Sequence, residues 1–135
     1  MERRILLSLL VSLSAVLAVS HYVASLLGIY ADLWWFDMAM HTVGGAVAGL
    51  FFLFIVGSIR GLSSLLYTKR GIYLVALAGA LLVGIGWEIF EYIYDIAYAT
   101  NYVRDTASDI LMDAVGAIFV SYYVMHRRFI TFPTH

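Results

Sequence analysis

Apolar residues fill this chain in four long blocks, at about 5–28, 35–59, 71–98 and 105–125, with short polar breaks between them. Each block reaches the roughly 20 residues a helix needs to cross a hydrocarbon core. The pattern predicts four transmembrane helices, the third long enough to tilt or to extend past the membrane surface. The breaks, Ile29 to Trp34, Arg60 to Arg70 and Ala99 to Arg104, are short. Short links make consecutive helices antiparallel neighbours, so the expected fold is an all-α membrane protein, an up-down bundle of four transmembrane helices. The only proline, Pro133, falls in the tail, so no span has a proline kink. A single four-helix transmembrane domain over residues 1–135 is the expected organisation. Met1 to Arg4 is basic, as a signal peptide would be, but the following apolar run to about Tyr30 exceeds an ordinary h-region. It is expected to stay as the first helix.

Composition strengthens this reading. Of 135 residues, 63% are hydrophobic and 13% charged, about half the charge that covers a soluble domain. Lipid is then the solvent for much of the exterior. The net charge of -1 offers no basic patch for nucleic acid. With no cysteine there are no disulfides or thiolate ligands.

Charge placement supplies orientation. Arg3, Arg4, Arg60, Lys69, Arg70, Arg127 and Arg128 fall on one side of the four-span arrangement, and Arg104 alone on the other. The positive-inside rule predicts a multi-pass protein of the plasma membrane with both termini cytoplasmic. Apart from Glu2, the acids gather in the opposite half: Asp32, Asp37, Glu88, Glu91, Asp95, Asp105, Asp109 and Asp113. Tyr30, Trp34, Trp35, Phe36, Tyr98 and Tyr102 stand at the same boundary, as an interfacial aromatic belt does.

Several of these acids fall inside the spans. At about 100° per residue, Asp37 and His41 share a face within about 40°, Glu88, Glu91 and Asp95 within about 60°, and Asp105, Asp109 and Asp113 within about 80°. Ser14, His21 and Ser25 make a weaker stripe on the first helix. Ionised groups facing lipid are costly, so the stripes should converge in the bundle or on a water-filled cavity. Gathered acids repel one another. Protonation, the single Arg104 or a divalent cation could each neutralise them, and a histidine with carboxylates on facing helices matches bundle metal sites. Such ligands suit Zn, Mn, Fe or Mg alike. The expected metal ligands are His41, Glu88, Glu91, Asp109 and Asp113, with Asp37, Asp95, Asp105 and His21 around them or at the entry. Simpler roles compete at some positions. Asp37 and Asp105 near helix starts could serve the helix dipole, Asp32 a solvated loop, and His21 ordinary packing. His126 and His135 read as interface or tail residues. Gly44, Gly45, Ala48, Gly49, Gly79, Gly84, Gly86, Ala114, Gly116 and Ala117 suit close helix packing in lipid.

Asp37-x3-His41 with Gly44-Gly45, then Trp87-Glu88-x2-Glu91, then Asp105-Thr106-x2-Asp109-x3-Asp113-x2-Gly116-Ala117 resembles the VanZ-like and YjdF-like membrane proteins. The resemblance covers about Asp37 to Ala117. It implies a small polytopic protein with acids and a histidine in its spans, and the association of VanZ-like members with low-level glycopeptide resistance implies work at the cell envelope. Where VanZ-like proteins often carry asparagine, this chain has Asp113.

The expected activity is metal-assisted hydrolysis or group transfer on a lipid or lipid-linked envelope substrate, with Glu88, Glu91 and Asp109 carrying the chemistry. A proton or divalent-cation transporter or channel is the alternative. Because the other half of every span reads apolar, that path would need a homo-oligomer interface or a large rearrangement. A non-catalytic scaffold bundle is the third reading. Haem ligation has little support, because no span carries repeated histidines. Membrane lipids are the expected partners. A GxSxG elbow, a P-loop and an HExxH motif are all missing from the sequence.

Overall fold

The computed structural model describes residues 3–96 and 101–127. Glu2, Tyr98, Ala99, Arg128, Pro133 and His135 lie outside them, as does the side chain of Arg3. The described chain is helical throughout, in the order α1 (Arg3–Leu27), α2 (Ile29–Asp32), α3 (Phe36–Ser58), a 3-10 turn (Ser63–Tyr67), α4 (Lys69–Tyr94) and α5 (Tyr102–His126). Helices α1, α3, α4 and α5 are each long and apolar enough to cross a membrane.

The breaks have local causes. Gly28 takes a left-handed conformation (φ 69°) between α1 and α2, which a residue without Cβ adopts at little cost. Thr68 caps α4 by accepting the Gly71 N–H at 3.0 Å, and Asn101 caps α5 by accepting the Arg104 N–H at 3.2 Å. At the other end of α4, Asp95 turns left-handed (φ 52°) and ends the helix at Tyr94. The third span is therefore shorter than the apolar pattern suggests.

Packing is uneven. Helices α3, α4 and α5 each pack against the other two, and α3 against α5 most extensively. Among the long helices, α1 sets its backbone against α3 alone. The reason lies in residue size. A Cβ on Gly45 would overlap the Asp113 carbonyl, and one on Gly116 would overlap the Thr42 carbonyl. Gly49 lies against Ala117 and Val120 in the same seam. Three glycines thus bring α3 and α5 to backbone contact, whereas α1 buries little beyond Leu6, Leu10 and Ala24.

The first turns of α3 and α5 meet the last turns of α4 at one end of the bundle, so α4 runs opposite to the other two. This is the acidic end. Toward the opposite end the core is aliphatic, built on Leu50, Leu53, Ile72, Ala76, Ala80, Ala117, Val120 and Val124. Exposed apolar side chains such as Val103, Leu26 and Leu74 cover the outside, as suits a lipid surround.

Candidate metal centre

His41 sits in the second turn of α3 and is buried against α4 and α5. Glycines create its surroundings. Gly45 admits the α5 backbone at Asp113, and a Cβ on Gly84 would collide with the Asp113 carboxylate. The carboxylate therefore occupies the volume that Gly84 leaves free on α4. It ends 3.4 Å from His41 Nδ1 through its Oδ2.

The other imidazole nitrogen faces more acid. His41 Nε2 lies 3.9 Å from Asp37 Oδ1 and 3.9 Å from Glu88 Oε1. Asp37 is one turn earlier on α3, so the pair realises the i,i+4 spacing. Asp109, one turn before Asp113 on α5, completes the group. One donor atom from each of Asp37, His41 and Asp109 lies within 4.8 Å of the other two.

Burial makes this arrangement demanding. Asp109 is 1% exposed and Glu88 4%. Glu88 Oε2 accepts the Thr106 hydroxyl at 2.6 Å, and the Tyr102 hydroxyl donates to the Glu88 carbonyl at 2.7 Å. Glu88 Oε1 and both Asp109 carboxylate oxygens have no hydrogen-bond partner. A buried acceptor left unpaired costs about 1–3 kcal/mol, and more if charged. Three of them around one imidazole make a concentrated demand for positive charge.

The donor set fits a divalent cation. A carboxylate accepting from Nδ1–H fixes the imidazole tautomer and turns the Nε2 lone pair toward the site. Asp113 is placed for that task, and Nε2 then faces Asp37 and Glu88. One imidazole with several carboxylate oxygens suits Zn, Mn, Fe or Mg.

The expected site residues divide into three groups. His41, Glu88, Asp109 and Asp113 come together. Asp37, expected at the entry, joins His41 and Asp109 in the trio within 4.8 Å. Glu91 lies to one side, where it accepts the Trp87 indole N–H at 2.8 Å. Glu91 and Asp105 line a cleft of about 870 Å³ that reaches His41. His21 lines the same cleft, its Nδ1 paired with the Tyr30 hydroxyl at 2.7 Å and its ring set edge-on to Trp87. Asp95 is left out. Once α4 ends at Tyr94, its left-handed backbone takes the exposed side chain off the Glu88 face. Among the described residues, Arg104 makes no ion pair with these acids.

The pairing of Thr106 and Tyr102 with Glu88 and the glycine seat of Asp113 are not read from the sequence. Thr106 precedes Asp109 by three residues and so shares its helical face, a spacing that could have marked it. The distance between Gly84 and Asp113 is a tertiary fact with no local signal.

A family model matches residues 1–128, that of the family described as predicted membrane protein (DUF2238). No curated protein and no solved structure matches the chain.

Proposed function

We propose, from the premise that the chain belongs to that family of membrane proteins, that its acidic end binds a divalent cation for hydrolysis or group transfer on a lipid or lipid-linked envelope substrate. The observation that carries this reading is the set of three buried carboxylate oxygens beside the imidazole that have no hydrogen-bond partner. Asp37, His41, Asp109 and Glu88 would hold the cation, and Asp113 would orient His41. Thr106 holds Glu88 in place through Oε2. A bound cation supplies Lewis-acid polarisation of a substrate phosphoryl or carbonyl oxygen. Glu91, which lines the cleft with Asp105, is the carboxylate we assign to take a proton from a nucleophile.

The charge distribution supports a placement with the acidic end outside and both termini cytoplasmic. The resemblance to VanZ-like proteins supports work at the envelope. Transport is the weaker reading. Ser121 is the one buried polar side chain outside the cluster among the described residues, and its hydroxyl is already donated to the Ala117 carbonyl. The aliphatic core offers a proton or ion no further step. A scaffold role would leave protonation and the His41 imidazole alone to compensate the three carboxylate oxygens.

The test is elemental mass spectrometry of the protein purified in detergent without chelator. Near-stoichiometric metal is expected in the wild type and in Glu91→Gln. It should be lost in Asp109→Asn and in a His41→Ala, Glu88→Gln double variant. Metal-free protein, even after exposure to Zn, Mn, Mg and Fe, refutes the site. Activity on an envelope lipid that survives Glu88→Gln and Asp109→Asn refutes the assigned chemistry.

A further inference from the structure

The backbones of α1 and α4 do not approach one another, because α1 packs on α3 alone among the long helices. The His21 ring, edge-on to Trp87, reaches across near the acidic end. Between the two helices lies the cleft of about 870 Å³, a volume within the roughly 300–1,000 Å³ of ligand sites.

The cleft is graded in polarity. Asp37, His41, Glu91 and Asp105 line one part of it. Leu10, Leu17, Val47, Phe51 and Val83 line the remainder. From His41 to Phe51 along α3 is roughly 15 Å of helix, and from His21 back to Leu10 along α1 roughly 17 Å. A bilayer core is about 30 Å thick, so the apolar part is as deep as one leaflet. An apolar wall one leaflet deep and open to the bilayer matches a hydrocarbon chain better than a water-soluble substrate.

The polar part limits the headgroup. Among the described residues no lysine or arginine lines the cleft, so beyond the His41 imidazole a bound cation is what would hold an anionic headgroup there. Three or four protein donors leave a catalytic cation with an open position, and phosphate oxygens are the hard ligands that commonly fill it. An ammonium headgroup would instead compete with the cation for the same carboxylates.

We infer that the cleft between α1 and α4 admits, sideways from the bilayer, the hydrocarbon chain of a phosphate-headed lipid and sets the phosphate against the cation at Asp37, His41 and Asp109. The headgroup assignment rests on the metal-binding reading. The chain assignment rests on the open flank of α1.

Three single-chain probes carrying a photoreactive diazirine in the tail separate these claims: dodecyl phosphate, dodecanol and dodecyltrimethylammonium. Each is incubated with the whole protein in nanodiscs of phosphatidylethanolamine and phosphatidylglycerol, with and without Zn or Mn. The phosphate probe should label peptides of α1 and α4 several-fold more strongly with metal than without. Val83→Trp on α4 and Leu17→Trp on α1 should abolish labelling while elemental analysis shows the metal retained, which also reports that the variants are folded. Asp109→Asn should remove both the metal and the metal-dependent increment. If the metal is bound but the phosphate probe labels no better than dodecanol, or the tryptophans change nothing, the inference fails and the metal site stands. If no metal binds, the metal reading fails, and labelling indifferent to metal overturns the phosphate assignment with it.

Discussion

Asp113 and Asp37 reach opposite nitrogens of one ring, and their positions assign them different work. Asp113 faces Nδ1 at 3.4 Å, and Asp37 faces Nε2 at 3.9 Å. A carboxylate on the far nitrogen of a ligating histidine raises its basicity and holds its orientation, and its loss typically costs 10–100-fold in metal affinity. Asp113→Asn is therefore expected to weaken metal binding by about 10–100-fold without abolishing it. Titration of the variant against a competing chelator measures this. Wild-type affinity would show that Asp113 is only packed beside the ring. The sequence made part of this legible, since Asp37 with His41 and Asp109 with Asp113 share faces at i,i+4 spacing. It could not rank the members of a stripe. Asp105, Asp109 and Asp113 look alike along α5, yet only Asp113 meets the gap at Gly84, and only Asp109 is buried with both oxygens partnerless.

The seam between α3 and α5 is what brings these residues together, and glycine contacts set its closeness. A Cβ on Gly116 would overlap the Thr42 carbonyl and sit 2.7 Å from the Ala46 nitrogen. Both are backbone atoms, so relief requires the helices to part. Gly116→Ala should therefore destabilise the protein by about 1–3 kcal/mol, the usual range for overpacking. Gly86 is the control, because a Cβ there meets nothing within 4 Å. Gly86→Ala should leave stability unchanged or raise it by about 0.5–1 kcal/mol, through the helix preference of alanine over glycine. Thermal unfolding in detergent, followed by circular dichroism, compares the two. An equal effect from both would mean that the seam is looser than its geometry indicates. At this scale the spans were legible from apolar length, with starts and ends displaced by a few residues. The early end of α4 was not, because Ile96 and its neighbours continue the apolar run past the left-handed Asp95. The detachment of α1 from α4 was hidden too. Hydropathy records that a helix meets an apolar environment, and lipid and protein both provide one.

For the whole molecule the deciding property is the separation of charge between its two ends. Arg4, Arg60, Lys69, Arg70 and Arg127 belong to one end, while the described acids and Arg104 belong to the other. Basic residues close to span ends are retained on the cytoplasmic side. A membrane potential adds about 2.3 kcal/mol per charge per 100 mV against moving them across. The acidic end is thus expected outside, where the cleft would receive lipids of the outer leaflet. Because the chain has no cysteine, single introduced thiols report the arrangement without background. Ala31→Cys and Val103→Cys lie on exposed positions at the acidic end, and Ser64→Cys on the link between α3 and α4 at the other. A membrane-impermeant maleimide added to intact cells should label the first two, and Ser64→Cys only after permeabilisation. The reverse pattern would put the carboxylate cluster in contact with the cytoplasm. The cation and the phosphate-headed lipid would then have to come from the inner leaflet, and an envelope substrate would be out of reach without prior flipping.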